Sequence, residues 1–295
     1  MNGNGQTFVR EPSESWGGPW TERKLDAFAK YVNAYLTIMQ ANPYWKTIYF
    51  DGFAGTGSRQ TTKTLLYEQL QFTAEEEEGY KGSAERVIRL DKRFDYYYFV
   101  DDRQSLDKLK TRLMALPESE GKKLLFRPED CNLELVQLGK TLRTDNFAAL
   151  VLLDPFGMHV EWNAIAGLAK TRSDLWILIP TGVIVNRLLD RAAKLEHIAR
   201  LESFFGLSEA EIREEFFRRE TKMTLFGEET VIEKIQGAIH HIADLYIRQL
   251  KTIWKHVTTE PLVLRNSRNV PIYHFVFASN NPTAVKIARD IIRKV

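Results

Sequence analysis

The feature that most constrains this chain is a series of short runs, apolar at consecutive positions and separated by segments with helical spacing. The runs fall at residues 45–50, 96–100, 124–126, 148–153 and 175–179. A strand with one wet face alternates apolar and polar residues, whereas consecutive apolar residues suit strands buried on both faces. Between the runs, Leu106, Leu109, Leu113 and Leu116 recur at helical intervals, and the same spacing returns over 133–142. Strands alternating with helices in this way predict an α/β domain, doubly wound around a mostly parallel sheet.

The flanking segments read differently. Residues 1–19 are rich in glycine, carry Pro12 and Pro19, and have no periodicity, so they read as a flexible tail. A helix is expected from Thr21, with Leu25, Phe28, Ala29, Val32, Leu36 and Met39 on one stripe; it stops before Asn42-Pro43, since proline cannot continue a helix. Residues 20–186 form the expected core. After Pro180 the strand pattern breaks off, and residues 187–261 read as a helical insertion. Within it Ser208 and Glu211 have the spacing of a capping box, and Ile242, Leu245, Tyr246, Leu250 and Ile253 form a stripe. Strands resume at 262–264 and 273–278 and a helix follows Pro282, so residues 262–295 complete a sheet of seven strands.

Composition narrows the function classes. Cys131 is the single cysteine, which excludes an internal disulfide. The 41 Lys and Arg are balanced by 39 Asp and Glu, so bulk electrostatics do not hold nucleic acid here. The 187–268 segment is no more basic, with 14 Lys and Arg against 13 Asp and Glu. The longest apolar runs fall far short of the roughly 20 residues of a membrane-spanning helix. Without a secretory pattern at its start, the chain is expected in the cytoplasm, away from membranes. The six histidines show no metal-ligand spacing, and no metal is expected.

The strongest motif begins where the first apolar run ends. Asp51 closes that run, and Gly52, Gly55 and Gly57 follow, letting the backbone turn sharply and approach a ligand. Open α/β sheets bind ligands at such strand ends. The second run also ends in acids, Asp101 and Asp102, one of which suits a ribose; strand alternation does not choose between them. A dinucleotide fingerprint is excluded: the third glycine is missing, and Asp101 lies far beyond the roughly 20 residues expected after the glycines. A P-loop is excluded because no Gly-Lys-Ser or Gly-Lys-Thr follows. An acid immediately before the glycines repels a pyrophosphate but pairs with an ammonium, which favours S-adenosylmethionine.

A second motif, Asp154-Pro155-Phe156-Gly157, ends the fourth run, and Asp130-Cys131-Asn132 follows the third. Together with the glycine motif these resemble class I methyltransferases, and D-P-F-G resembles the D-P-P-Y signature of enzymes that methylate exocyclic amines of bases. The second proline of that signature is absent here, and the aromatic residue comes one place early. Over most of residues 20–295 the chain resembles the three-Cys-motif partner protein family (TcmP). The matching pieces are the helix over 20–36, Asp51 to Gly57, Gly82-Ser83, Asp101, Asp154 to Gly157 with Trp162, and the run over 273–279.

The resemblance implies a class I methyltransferase-like Rossmann fold, S-adenosylmethionine as cofactor and a partner protein bearing three cysteines. It also implies roles. Asp51, Gly55 and Gly57 line the methionine end of the cofactor, with the backbone of Phe53 and Ala54 close by. Asp101, or its rival Asp102, accepts from the ribose hydroxyls; Asp130 accepts from the adenine amine, with the Cys131 backbone as donor. Asp154 and the Pro155 carbonyl accept the hydrogens of a target amine on a nucleic-acid base, while Phe156 stacks on its ring. Against these roles, Asp130 also suits an Asx turn opening a helix, and Cys131 a small buried residue. Two functions stay open: a methyltransferase acting on a base amine, and a non-catalytic S-adenosylmethionine-binding partner. Residues 59–82 are expected to form a lid, with Ser83 as N-cap of the next helix.

Overall fold

In the computed structural model, the described residues are 19–55, 82–144, 146–155, 157–187, 195, 197–224, 227–266 and 269–295. The expected tail and lid therefore lie almost wholly outside the described residues, as do Gly57 and Phe156.

The expected alternation is present. α1 (Pro19–Gln40) leads into β1 (Lys46–Asp51), then α2 (Gly82–Ile88), β2 (Tyr96–Val100), α3 (Arg103–Met114), β3 (Leu124–Arg127), α4 (Cys131–Thr144) and β4 (Phe147–Leu153). α5 (Trp162–Ala166), β5 (Ser173–Ile179) and α6 (Thr181–Arg187) follow. α1 opens at Pro19, two residues earlier than Thr21 suggests, because proline is tolerated in a first helical turn. β1, β2, β3, β4 and β5 pair in parallel in the order β3-β2-β1-β4-β5.

Two expectations need correction. Among the described residues the main sheet has eight strands, not seven. β10 (Pro271–Ser279) runs antiparallel to β5, and along its other edge lie two short strands, β8 (His256–Val257) and β9 (Leu262–Arg265). Pro261 stands between those two and has no N–H to give a sheet ladder, so one edge position is shared by two strands. The sheet is thus mixed. The second correction concerns residues 187–261, which are not all helical. Between α7 (Ile198–Phe205), α8 (Glu209–Phe216) and α9 (Ala238–Ile253), a hairpin of β6 (Phe217–Thr224) and β7 (Gly227–Lys234) forms a sheet of its own. Thr221, Thr224, Thr230, Val231 and Ile232 are β-branched, and that stiffness favours strands.

Alternation along each strand separates two cores. On one face Tyr49, Tyr97, Phe99, Leu150, Leu152, Trp176 and Phe275 pack with α1, α2, α3 and α10 (Pro282–Ile292). On the other, Ile48, Phe50, Val151, Ile177 and Val276 pack with α4, α5, α7, α8 and α9. With helices on both faces, the central strands are buried on both sides. The Tyr97 ring is buried in this core, while Tyr96 and Tyr98 are half-buried. Among the described residues no helix is long and apolar enough to cross a membrane.

Candidate functional site

Asp51 ends β1 and is fully buried. Its Oδ2 accepts from the Tyr49 hydroxyl at 2.8 Å and the Ser83 hydroxyl at 3.2 Å, and its Oδ1 from the Phe53 N–H at 3.3 Å. Tyr49 is two residues back on the same strand, so both side chains lie on one face. Burial raises the Asp51 pKa to about 6, opposed by the Tyr49 hydrogen bond and assisted by the nearby charge of Asp154. Ser83 was expected as an N-cap; it lies instead inside α2, with its hydroxyl on Asp51.

The turn after Asp51 threads between packed elements. The Gly52 N–H donates to the Leu152 carbonyl and the Ala54 N–H to the Val100 carbonyl. A Cβ on Gly52 would stand 2.6 Å from Cys131 Sγ, and one on Gly55 2.4 Å from Ser105 Cβ. Both glycines are required by close approach of neighbouring chain.

The two acids after β2 divide their work. Asp102 caps α3: its Oδ1 accepts from the Ser105 N–H at 3.0 Å and its Oδ2 from the Ser105 hydroxyl at 2.8 Å. Burial pushes its pKa up, but these donors outweigh it and hold the carboxyl below its ordinary value. Asp101 faces the glycine turn, its Oδ2 accepting from the Gly55 N–H at 3.1 Å and its Oδ1 from the Asp102 N–H at 2.7 Å. Burial raises Asp101 to about 7.

After β3, Asp130 opens α4. Its Oδ1 accepts from the Asn132 N–H at 2.8 Å and the Leu133 N–H at 3.3 Å, the capping arrangement weighed from the sequence. Cys131 is buried against Gly52, and burial pushes its thiol well above the ordinary value, with Asp130 and Asp51 adding to the effect. This is a packing cysteine, not a thiolate nucleophile. The Asn132 side chain donates to the His159 carbonyl at 3.0 Å and accepts from the Glu161 N–H at 2.8 Å, tying α4 to the loop after β4.

Asp154 follows β4 and is buried, as is Pro155. Its Oδ2 lies 2.6 Å from Lys24 Nζ, in an ion pair whose side chains are 1% and 5% exposed. Asp51 and Asp154 thus end neighbouring strands, since Asp51 pairs with Leu152 in the β1–β4 register. Lys24 is a site residue that sequence reasoning missed. The available signal was its position four residues before Phe28, on the packed stripe of α1. Tyr49 and Ser83 were also missed as partners of Asp51.

The arrangement brings Asp51, Asp101 and Asp154 to one end of the sheet, while Asp102 and Asp130 serve as helix caps. Such an end offers carboxylate acceptors to hydroxyl, amine and ammonium donors. Among the described residues no group of three or more His, Cys, Asp or Glu is arranged to hold a metal ion. No protein-family model and no curated protein matches the chain. Among solved structures, it is similar to protein LPL1258 from Legionella pneumophila str. Philadelphia 1, of family-model DUF519, with 11% identity and a TM-score of 0.44 over 92% of this chain and 91% of that one.

Proposed function

We propose that the protein is an S-adenosylmethionine-dependent methyltransferase whose acceptor is an exocyclic amine of a nucleic-acid base. The observation that supports this best is the convergence of Asp51 and Asp154 at the carboxyl ends of β1 and β4. Between those strands the winding of the sheet reverses, and open α/β sheets bind ligands in the crevice at that point. A mostly parallel sheet with an antiparallel β10 is in keeping with the methyltransferase-like fold that the sequence resemblance implies.

The residues suit the cofactor chemically. Asp51 and Asp101 are acceptors, as a ligand with an ammonium and a ribose diol requires, and both lie beside the 52–55 turn. When bound, the cofactor supplies an electrophilic methyl group. In this reading Asp154 and the Pro155 carbonyl accept the hydrogens of the target amine and aim its lone pair. For Phe156, outside the described residues, the resemblance implies stacking on the base. Lys24 holds the Asp154 carboxylate in place, and the 187–261 segment helps to grip the substrate.

One observation favours a second reading. Asp154 Oδ2 already has a buried ammonium at 2.6 Å, which is enough to fix a turn. On that basis the chain would be a non-catalytic S-adenosylmethionine-binding partner of a three-cysteine-motif protein.

Two measurements test both readings. Isothermal titration with S-adenosylmethionine and its demethylated product should show saturable binding, weakened by Asp101→Ala, which strips the ribose hydroxyls of an acceptor. Absence of binding at millimolar concentration would remove the cofactor from both readings. Tritiated cofactor incubated with fractionated DNA and RNA should label one of them with wild type and not with Asp154→Ala, because that acceptor acts in the transition state. Cofactor binding without label in any fraction would select the scaffold.

A further inference from the structure

At the opposite end of the sheet, a cavity of about 390 Å³ opens between α1, the beginnings of β4 and β5, and the start of α10. Its volume is at the small end of the range for ligand pockets, roughly 300–1,000 Å³. Ile38, Met39, Ala148 and Ile287 supply apolar wall.

The charged residues that line it are Asp174 and Arg172. Asp174, near the start of β5, accepts from the Tyr31 hydroxyl at 2.7 Å through Oδ2 and from the Ser279 hydroxyl at 2.5 Å through Oδ1. Both donors are neutral, and Asp174 has no ion-pair partner among the described residues.

We propose that this cavity binds a small organic ammonium ion, whose N–H groups donate to the Asp174 carboxylate. An ammonium carries three donors and no acceptor, which complements a carboxylate whose two oxygens keep spare lone pairs. Its charge would meet a buried carboxylate in a charge-assisted hydrogen bond, the strong kind. Its carbon chain would cover the apolar wall. Arg172 lines the same cavity but is exposed, with its guanidinium 4.0 Å from the centre of the Trp45 ring. Solvent screens it, so it competes weakly for Asp174. Burial, opposed by the Tyr31 and Ser279 hydrogen bonds and by Arg172, raises the Asp174 pKa, and a bound cation would reverse that penalty. A carboxylate ligand is disfavoured because Asp174 would repel it.

The test uses the full chain and three probes with the same carbon chain: n-butylammonium chloride, n-butanol and sodium butyrate. Titration followed by two-dimensional NMR should show saturable shifts at residues 31–39 and 171–174 with the amine alone, below about 100 mM for so small a ligand. Asp174→Asn should weaken the amine at least tenfold. The proposal is overturned if butanol or butyrate binds as well as the amine, or if the amine does not saturate. It is equally overturned if Asp174→Asn binds like wild type.

Discussion

Lys24 sits on the stripe of α1 that packs against the sheet, where its ammonium and the Asp154 carboxylate are withdrawn from water together. The attraction between such charges roughly offsets the cost of drying them, so the pair adds little net stability; removing one member is what costs. Lys24→Met should therefore destabilise the fold by about 3–5 kcal/mol, whereas Lys24→Met combined with Asp154→Leu should recover most of the loss. Urea unfolding of the two variants measures both, and a Lys24→Met midpoint equal to wild type would contradict the buried pair. Titration gives a second residue-scale expectation. Burial lifts Asp51 to about 6 and Asp101 to about 7, both above the ordinary carboxylate value. A carboxyl whose folded pKa is raised binds its proton more tightly folded than unfolded. Its contribution is fully present below the unfolded value, near 4, and is lost as pH rises through the folded one. Between about pH 5 and pH 8 wild type should lose stability relative to Asp101→Asn, which has no carboxyl to ionise at that position. A pH-independent difference between the two would show that Asp101 keeps an ordinary pKa.

α4 meets the turn after α5 through a glycine. A Cβ on Gly139 would stand 2.4 Å from the Gly167 carbonyl oxygen, which is backbone and cannot swing aside. Arg143 Nη2 binds the same carbonyl at 2.6 Å and the Ala169 carbonyl at 3.0 Å, so the turn is also held from outside. In an exposed helix Gly→Ala stabilises, because glycine is the poorer helix former. Here overpacking should win, and Gly139→Ala should lower stability by about 1–3 kcal/mol. A raised midpoint in circular-dichroism melting would mean that α4 can move off the turn. Because α4 begins at Cys131, against Gly52, such a shift would be felt at the 52–55 turn as well.

On the scale of the whole molecule, helices cover both faces of one mixed sheet, and the β6–β7 hairpin stands outside it, its strands paired, among the described residues, only with each other. The residues that anchor its base are Phe216, which is fully buried, and Ile235, whose N–H donates to the Phe216 carbonyl at 3.0 Å. Replacing residues 219–232 by a short Gly-Ser link should therefore leave the thermal midpoint within about 4 °C of wild type, and cofactor affinity unchanged. A large loss of stability would assign the hairpin to the core. Under the methyltransferase reading, loss of nucleic-acid labelling with cofactor binding intact would place the hairpin in substrate recognition.

The strand–helix alternation over residues 45–179 was legible in the sequence because burial on both faces leaves consecutive apolar residues, a pattern local in the chain. Asp51, Asp101 and Asp154 were legible as strand ends for the same reason, since each follows such a run directly. The hairpin was not, because its alternating charges and β-branched residues lie between stretches of helical spacing. The eighth strand was hidden too: whether two short segments share one edge position depends on β10, which comes later in the chain. The division between Asp101 and Asp102 required the path of α3 and the 52–55 turn, where one carboxylate is consumed as a cap. The Lys24–Asp154 pair spans 130 residues of sequence, and no local pattern encodes a contact at that distance. Apolar periodicity, a property of neighbours along the chain, determined the core; packing, a property of neighbours in space, decided which polar groups that core encloses together.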